Sequence, residues 1–125
     1  MVENGLLDYS AKVCHYWPEF TGNGKENLSL ADILRHESGL SWLDHSFEQD
    51  DFTLENIKKN KVGEIFEKEP LHFPGTGGEN ETPTNREYHY ITRGCILNEI
   101  VRRVDKKGRT MGEIIREVIP TLVQI

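Results

Sequence analysis

The 125-residue sequence has only two cysteines. Cys14 and Cys95 form neither a CxxC pair nor a disulfide framework, so two reduced, interior thiols are expected. The five histidines, at positions 15, 36, 45, 72 and 89, never fall at HxxxH or HExxH spacing. No metal and no cofactor is therefore expected. His36 and His45 read as ordinary surface or hydrogen-bonded histidines. No apolar run reaches the ~18 residues that a spanning helix needs, so no membrane span is expected. Met1-Val2-Glu3-Asn4-Gly5 lacks the basic and apolar regions of a secretory leader, which leaves the cytoplasm as the default location. Positive charge is also short. Fifteen Lys and Arg stand against 21 Asp and Glu, a net charge of −6. That balance argues against nucleic acid as a partner, because a basic face is needed to displace counterions. The small basic group of Arg102, Arg103, Lys106, Lys107 and Arg109 reads as a solvated helix end.

Activated nucleophiles are missing as well. Gly-x-Ser-x-Gly is absent. No serine has a lysine three residues later: after Ser10, Ser29, Ser38, Ser41 and Ser46 come Val13, Asp32, Ser41, Asp44 and Gln49. Lys-Thr-Gly and Lys-Ser-Gly do not occur. Cys14 stands beside His15, but adjacent side chains seldom face each other and no third group orients the pair.

What remains is a lean, helical sequence. Leu, Ile, Val and Phe make up about 26% of it, above the ~20% below which chains tend to stay disordered. The length fits one domain at most. Tyr16-Trp17-Pro18-Glu19-Phe20 is an aromatic knot suited to core packing. Ser29 and Asp32 form a capping box ahead of Leu30, Ile33 and Leu34. That helix should stop near His36, with Ser38-Gly39 as the left-handed exit. Thr53 caps a second helical stretch, through Leu54, Ile57, Val62, Ile65 and Phe66. One bent helix and two short ones both fit it, and it should end before Pro70. Residues 70–87 carry clustered Pro and Gly and read as a long loop. Leu97, Ile100, Val101 and Val104 repeat at helical spacing, and Gly94 offers room for a close backbone. Thr110 and Glu113 form a second capping box. It opens a helix with a buried stripe of Met111, Ile114, Ile115, Val118 and Ile119, which Pro120 should stop. No period-2 segment is convincing.

Four colinear pieces resemble the beta-lactamase-related serine hydrolases. These include penicillin-binding-protein and class C beta-lactamase relatives, and the animal beta-lactamase-domain proteins. Leu28 to Leu40, which ends His36-Glu37-Ser38-Gly39-Leu40, is similar to the family's H-x-S-G-L segment. The stretch from Gly5 to Phe20 is similar to the run that precedes it. Pro74-Gly75-Thr76 resembles the P-G-T ahead of the family's Tyr-x-Asn motif. Tyr88 stands six residues before Gly94, as the motif tyrosine should.

The resemblance implies a fold class that is mainly α here. Residues 1–125 would be the helical part of an α+β beta-lactamase/transpeptidase-like domain, lacking most of its antiparallel sheet. It implies an acyl-serine mechanism on small-molecule or peptide acyl substrates. Tyr88 would be the general acid/base, His89 and Tyr90 substrate-binding, and His36, Ser38, Gly39 and Gly94 structural. Tyr90 replaces the amide of Tyr-x-Asn. Both ends of the sequence break off in apolar residues, so an internal fragment is expected, inactive alone for want of Ser-x-x-Lys. A non-catalytic helical binding module, associating through exposed apolar faces, is the alternative.

Overall fold

The computed structural model describes residues 1–2, 5–22, 24–36, 38–40, 43–44, 47–71 and 91–123, with no side chains described from 119 onward. Six α-helices are seen among them: α1 Val13–Tyr16, α2 Leu30–Leu34, α3 Leu54–Lys58, α4 Lys61–Lys68, α5 Thr92–Val104 and α6 Met111–Val123. Short 3-10 turns occupy Lys25–Asn27 and Gln49–Phe52. Among the described residues there is no strand, only an isolated antiparallel bridge between Lys12 and Ser29.

Local chemistry sets the helix starts. The Ser29 hydroxyl accepts from the Asp32 N–H at 3.2 Å, and the Asp32 carboxylate accepts from the Ser29 N–H at 2.9 Å. The expected capping box is therefore formed. Thr110 and Glu113 form the other, at 3.2 and 3.1 Å. Thr53 caps α3 by accepting from the Asn56 N–H. The second helical stretch is two helices. Asn60 breaks it by adopting the left-handed region at φ 67°, which Asn tolerates better than most residues.

α5 is the central element and packs against α1, α2, α4 and α6. Its fully buried apolar residues are Ile96 and Ile100, one helical turn apart. The expected Leu97 and Val104 are only half-buried against that core. Trp17 and Phe20, both fully buried, stack with ring centroids 4.9 Å apart. The aromatic knot is core, as its composition suggested. Burial of aromatics this large is worth several kcal/mol each, and truncation costs about 3–5 kcal/mol.

Four expectations are corrected. Pro120 does not stop α6, whose backbone stays helical to Val123. Proline forfeits one backbone donor, and that loss alone has not ended the helix. The stripe on α6 is not fully buried: Met111 and Ile114 are half-buried, Ile115 is 50% and Val118 44% exposed, and the Ile119 side chain lies outside the described residues. Among the described helices α6 packs on α5, which leaves Ile115 and Val118 uncovered. Arg102 and Arg103 are not solvated. Their side chains are 14% and 16% exposed and close over the buried Glu99. Finally, nothing stands within 4 Å of a Cβ built at Gly94, so no described backbone makes the close approach expected there.

Candidate active-site region

The turn after α2 packs against the start of α5. Helix α2 leaves the α conformation at Arg35, and His36 then takes a left-handed backbone at φ 62°. The His36 N–H donates to the Ile33 carbonyl at 3.3 Å. His36 therefore makes the exit turn that glycine usually makes. Gly39 follows with φ 81°, so the chain bends twice within four residues. Between the bends Ser38 is fully buried, and its Oγ accepts from the Leu40 N–H at 3.3 Å.

Arg93, in the first turn of α5, closes onto this bend. Its Nη1 lies 3.0 Å from His36 Nε2 and donates to the Leu34 carbonyl at 3.4 Å. A guanidinium has donors only, so Nε2 is the acceptor and the ring proton sits on Nδ1. Beside it Thr92 is 4% exposed, and its Oγ1 has no hydrogen-bond partner among the described residues. Tyr88, His89 and Tyr90 lie outside the described residues, as does most of the 70–87 loop. The chain re-enters at Ile91, directly ahead of α5. The structure thus joins His36 and the end of α2 to the first turn of α5.

Arg93 was missed by the sequence reading. A signal existed: a cation in the first turn of a helix opposes the helix dipole and needs a specific acceptor.

Further along α5 lies a buried charge network. Glu99 is fully buried; its Oε2 accepts from Arg102 Nε at 2.9 Å and Arg103 Nη1 at 3.4 Å. Asn60 Oδ1 accepts from Arg102 at 3.1 Å and Arg103 at 2.7 Å. The Arg103 guanidinium also lies 4.3 Å from the Trp17 ring centroid. The network ties α4 and α5 to the aromatic core.

A groove of about 460 Å³ runs along the other side of α5, between Phe52, Ile57, Gly94, Cys95, Asn98 and Met111. Burial, with a smaller push from Glu99, raises the Cys95 pKa to about 11, so this thiol is a poor nucleophile at neutral pH. Cys14 and Cys95 are both free and half-buried. No group of three metal-ligating side chains occurs among the described residues. No described helix is long and apolar enough to cross a membrane. Of the serines, Ser10 donates to Asp8 at 2.8 Å and Ser29 caps α2.

Comparison with known proteins identifies the family. The Beta-lactamase family model matches residues 1–122. The chain belongs to this family of beta-lactamase-related serine hydrolases, and its described part is a helical portion of the family's fold. It is 32% identical over 117 residues to the esterase/beta-lactamase LipL of Mycobacterium tuberculosis, covering 94% of this chain and 24% of the relative. A 37-residue stretch is 46% identical to a beta-lactamase of Providencia stuartii, covering 30% of this chain and 10% of that one. Among solved structures it resembles a penicillin-binding protein homologue from Caulobacter crescentus, with a TM-score of 0.71 at 30% identity over 94% of this chain and 28% of that one. It also resembles a family VIII carboxylesterase, with a TM-score of 0.69 at 27% identity over 90% and 28% of the two chains. The chain spans about a quarter of the length of LipL and of both solved structures.

Proposed function

We propose that residues 1–125 supply the helical wall and the general acid/base of an acyl-serine hydrolase site. Its substrates would be small-molecule esters or amides, or peptide acyl groups. Tyr88 is the acid/base in this reading; His89 and Tyr90 line the acyl site; His36, Ser38, Gly39 and Gly94 shape the backbone around it. The observation that supports the reading is the Arg93–His36 contact, which ties the turn after α2 to the first turn of α5. An ordinary phenol has a pKa of ~10, so Tyr88 needs nearby cations to act as a base. The nucleophilic serine and its lysine are to come from a Ser-x-x-Lys segment, which these 125 residues do not contain. The long loop 70–87 belongs to the same partial domain. With Tyr90 in place of the motif amide, beta-lactam turnover is not implied.

A serine-directed fluorophosphonate probe tests this. The 125-residue chain should remain unlabelled and should not hydrolyse p-nitrophenyl esters; a stoichiometric adduct would overturn the reading. In a polypeptide that also carries a Ser-x-x-Lys segment of this family, Tyr88→Phe should lower kcat by about 10²–10⁴-fold. A second reading, self-association of a non-catalytic module, draws on the exposed Ile115 and Val118. Sedimentation that stays monomeric at high concentration would count against it.

A further inference from the structure

We propose that the groove between α3, α5 and α6 is a binding site for a fatty-acid-type ligand, an apolar chain that ends in one carboxylate. The site is separate from the turn around His36, and the proposal does not depend on the reading of Tyr88.

The walls of the groove are apolar. Leu54 and Ile57 come from α3, Cys95 from α5 and Met111 from α6, with Phe52 at the rim. Phe52 and Leu54 are exposed, and so is Ile115, one turn beyond Met111 on α6. Apolar surface left open together in this way marks a place where another molecule sits. The volume, about 460 Å³, falls in the ~300–1,000 Å³ range of small-molecule clefts. Two helical glycines, Gly94 and Gly112, line it. Neither has a positive φ. A Cβ at Gly94 would meet nothing within 4 Å, and one at Gly112 only Arg116 Nη2 at 3.7 Å and Thr110 Oγ1 at 3.9 Å. Neither backbone angle nor packing therefore calls for glycine, a poor helix former, at these positions. What the missing side chains do is leave the groove open.

The polar groups favour an anion. The chain as a whole is acidic, with a net charge of −6, yet the one charged side chain that lines the groove is Arg116. Arg116 is exposed and has no acceptor among the described residues. Its guanidinium folds back over Gly112, which keeps it at the groove. The floor adds a second donor. Asn98 Oδ1 accepts from the Met111 N–H at 2.9 Å, so Nδ2 is the remaining amide atom, a donor with no acceptor among the described residues. Cys95, its thiol pushed up to about 11 by burial, is neutral at pH 7 and does not repel an anion. A single guanidinium matches a single carboxylate in charge and in fork geometry. A phosphate dianion would leave charge unmatched.

The test titrates the ¹⁵N-labelled 125-residue chain with dodecanoate below its micelle-forming concentration. Dodecanoate should bind saturably at one site. The amide signals of Gly94, Cys95 and Gly112 and the Asn98 side-chain amide should shift together along the same binding curve. Dodecyltrimethylammonium, with the same chain and the opposite charge, should bind at least about tenfold more weakly, because it exchanges an attraction for a repulsion. Arg116→Gln should weaken dodecanoate about fivefold, the scale of a solvent-accessible ion pair. Arg116→Glu should reverse the order of the two ligands. Gly94→Leu fills the groove from its floor and should reduce dodecanoate binding at least about tenfold while the helix keeps its stability. Equal binding of the two ligands, wild-type affinity in Arg116→Gln or in Gly94→Leu, or shifts that leave Asn98 and Gly112 untouched would each overturn the proposal. Arg116 is exposed and holds no described partner, so its variants should fold, and Gly94→Leu tests the site without touching the charge.

Discussion

The ammonium of Lys25 ends the helix that contains Phe66. Its Nζ donates to the Phe66 carbonyl at 2.9 Å and also to the Glu67 carbonyl, both in the last turn of α4. Lys25 is 1% exposed, and its Nζ lies 5.6 Å from the Phe20 ring centroid. Burial lowers its pKa, while Glu67, Glu69 and Glu26 pull it back up. Helix ends leave carbonyls without partners and carry negative potential, and a buried cation meets both needs. Lys25→Met keeps the apolar stem but strands two carbonyls. It should destabilise the chain by about 2–4 kcal/mol, the range for hydrogen bonds to a charged donor and orphaned acceptors. Urea denaturation of both proteins checks this. A loss under about 0.5 kcal/mol would mean water replaces the ammonium at no net cost.

Cys95 should be slow to alkylate. With its pKa near 11, only about one molecule in a thousand carries the thiolate at pH 8. Iodoacetamide under native conditions should therefore modify Cys95 far more slowly than after unfolding, and peptide mass mapping reads the difference. The linkage sign follows. Burial raises the folded pKa above the unfolded value of ~8.5. The stability this confers is complete below the unfolded pKa and is lost as pH climbs from about 9 to about 11. Cys95→Ala should flatten that alkaline decline.

Features set by a few neighbouring residues were legible in the sequence, and those set by distant partners were not. Ser29 with Asp32, and Thr110 with Glu113, state their capping boxes within four positions. The Trp17–Phe20 knot states its burial by size. Lys25 and Glu99 carry no such sign. The groups that make Lys25 tolerable lie tens of residues away, in Phe66 and Glu67. Glu99 has Arg102 and Arg103 nearby, but the Asn60 that holds them comes from the break between α3 and α4. The exposure of Ile115 and Val118 was invisible for the same reason: a helical stripe declares a face, not what covers it. At the site, the turn around His36 was expected. Its left-handed backbone and its Arg93 partner were not, because both depend on how α2 meets α5.

Acid should weaken the turn after α5. Arg109 grips Asp105 with two guanidinium bonds, Nη2 to Oδ1 at 2.9 Å and Nε to Oδ2 at 3.1 Å. The Arg109 and Lys107 backbone N–H groups add to them. These bonds, the guanidinium first, hold the Asp105 pKa well below the ordinary carboxylate range. A depressed folded pKa means stability that is present above the unfolded value of ~3.9 and lost as pH falls through the folded one. Asp105→Asn should lower Tm at pH 7 and narrow the gap between Tm at pH 7 and at pH 3. A mutant with the wild-type gap would assign the acid sensitivity to other carboxylates.

Gly63→Ala offers the sharpest test, because helix propensity and packing predict opposite signs. Gly63 lies inside α4, where alanine should stabilise by up to ~1 kcal/mol on propensity alone. A Cβ there would stand 2.0 Å from Asn60 Oδ1, 2.9 Å from its Cγ and 3.1 Å from Glu99 Oε1. Asn60 must therefore swing away. Its Oδ1 accepts from both Arg102 and Arg103, and its Nδ2 donates to Glu67 at 3.2 Å. Losing these unsettles the two arginines that neutralise the fully buried Glu99. Hydrogen bonds to charged groups are worth about 1.5–3 kcal/mol each, so packing should win by about 2–4 kcal/mol net. Asn60→Gly supplies the control. Glycine accepts the left-handed backbone at position 60 and removes the Asn60 atoms that a methyl group on residue 63 would strike, leaving only the 3.1 Å approach to Glu99 Oε1. Once Asn60→Gly has been made, adding Gly63→Ala should cost little, and the double-mutant cycle should show strong non-additivity. Strict additivity, or a stabilising Gly63→Ala single mutant, would mean that Asn60 does not hold the two arginines over Glu99.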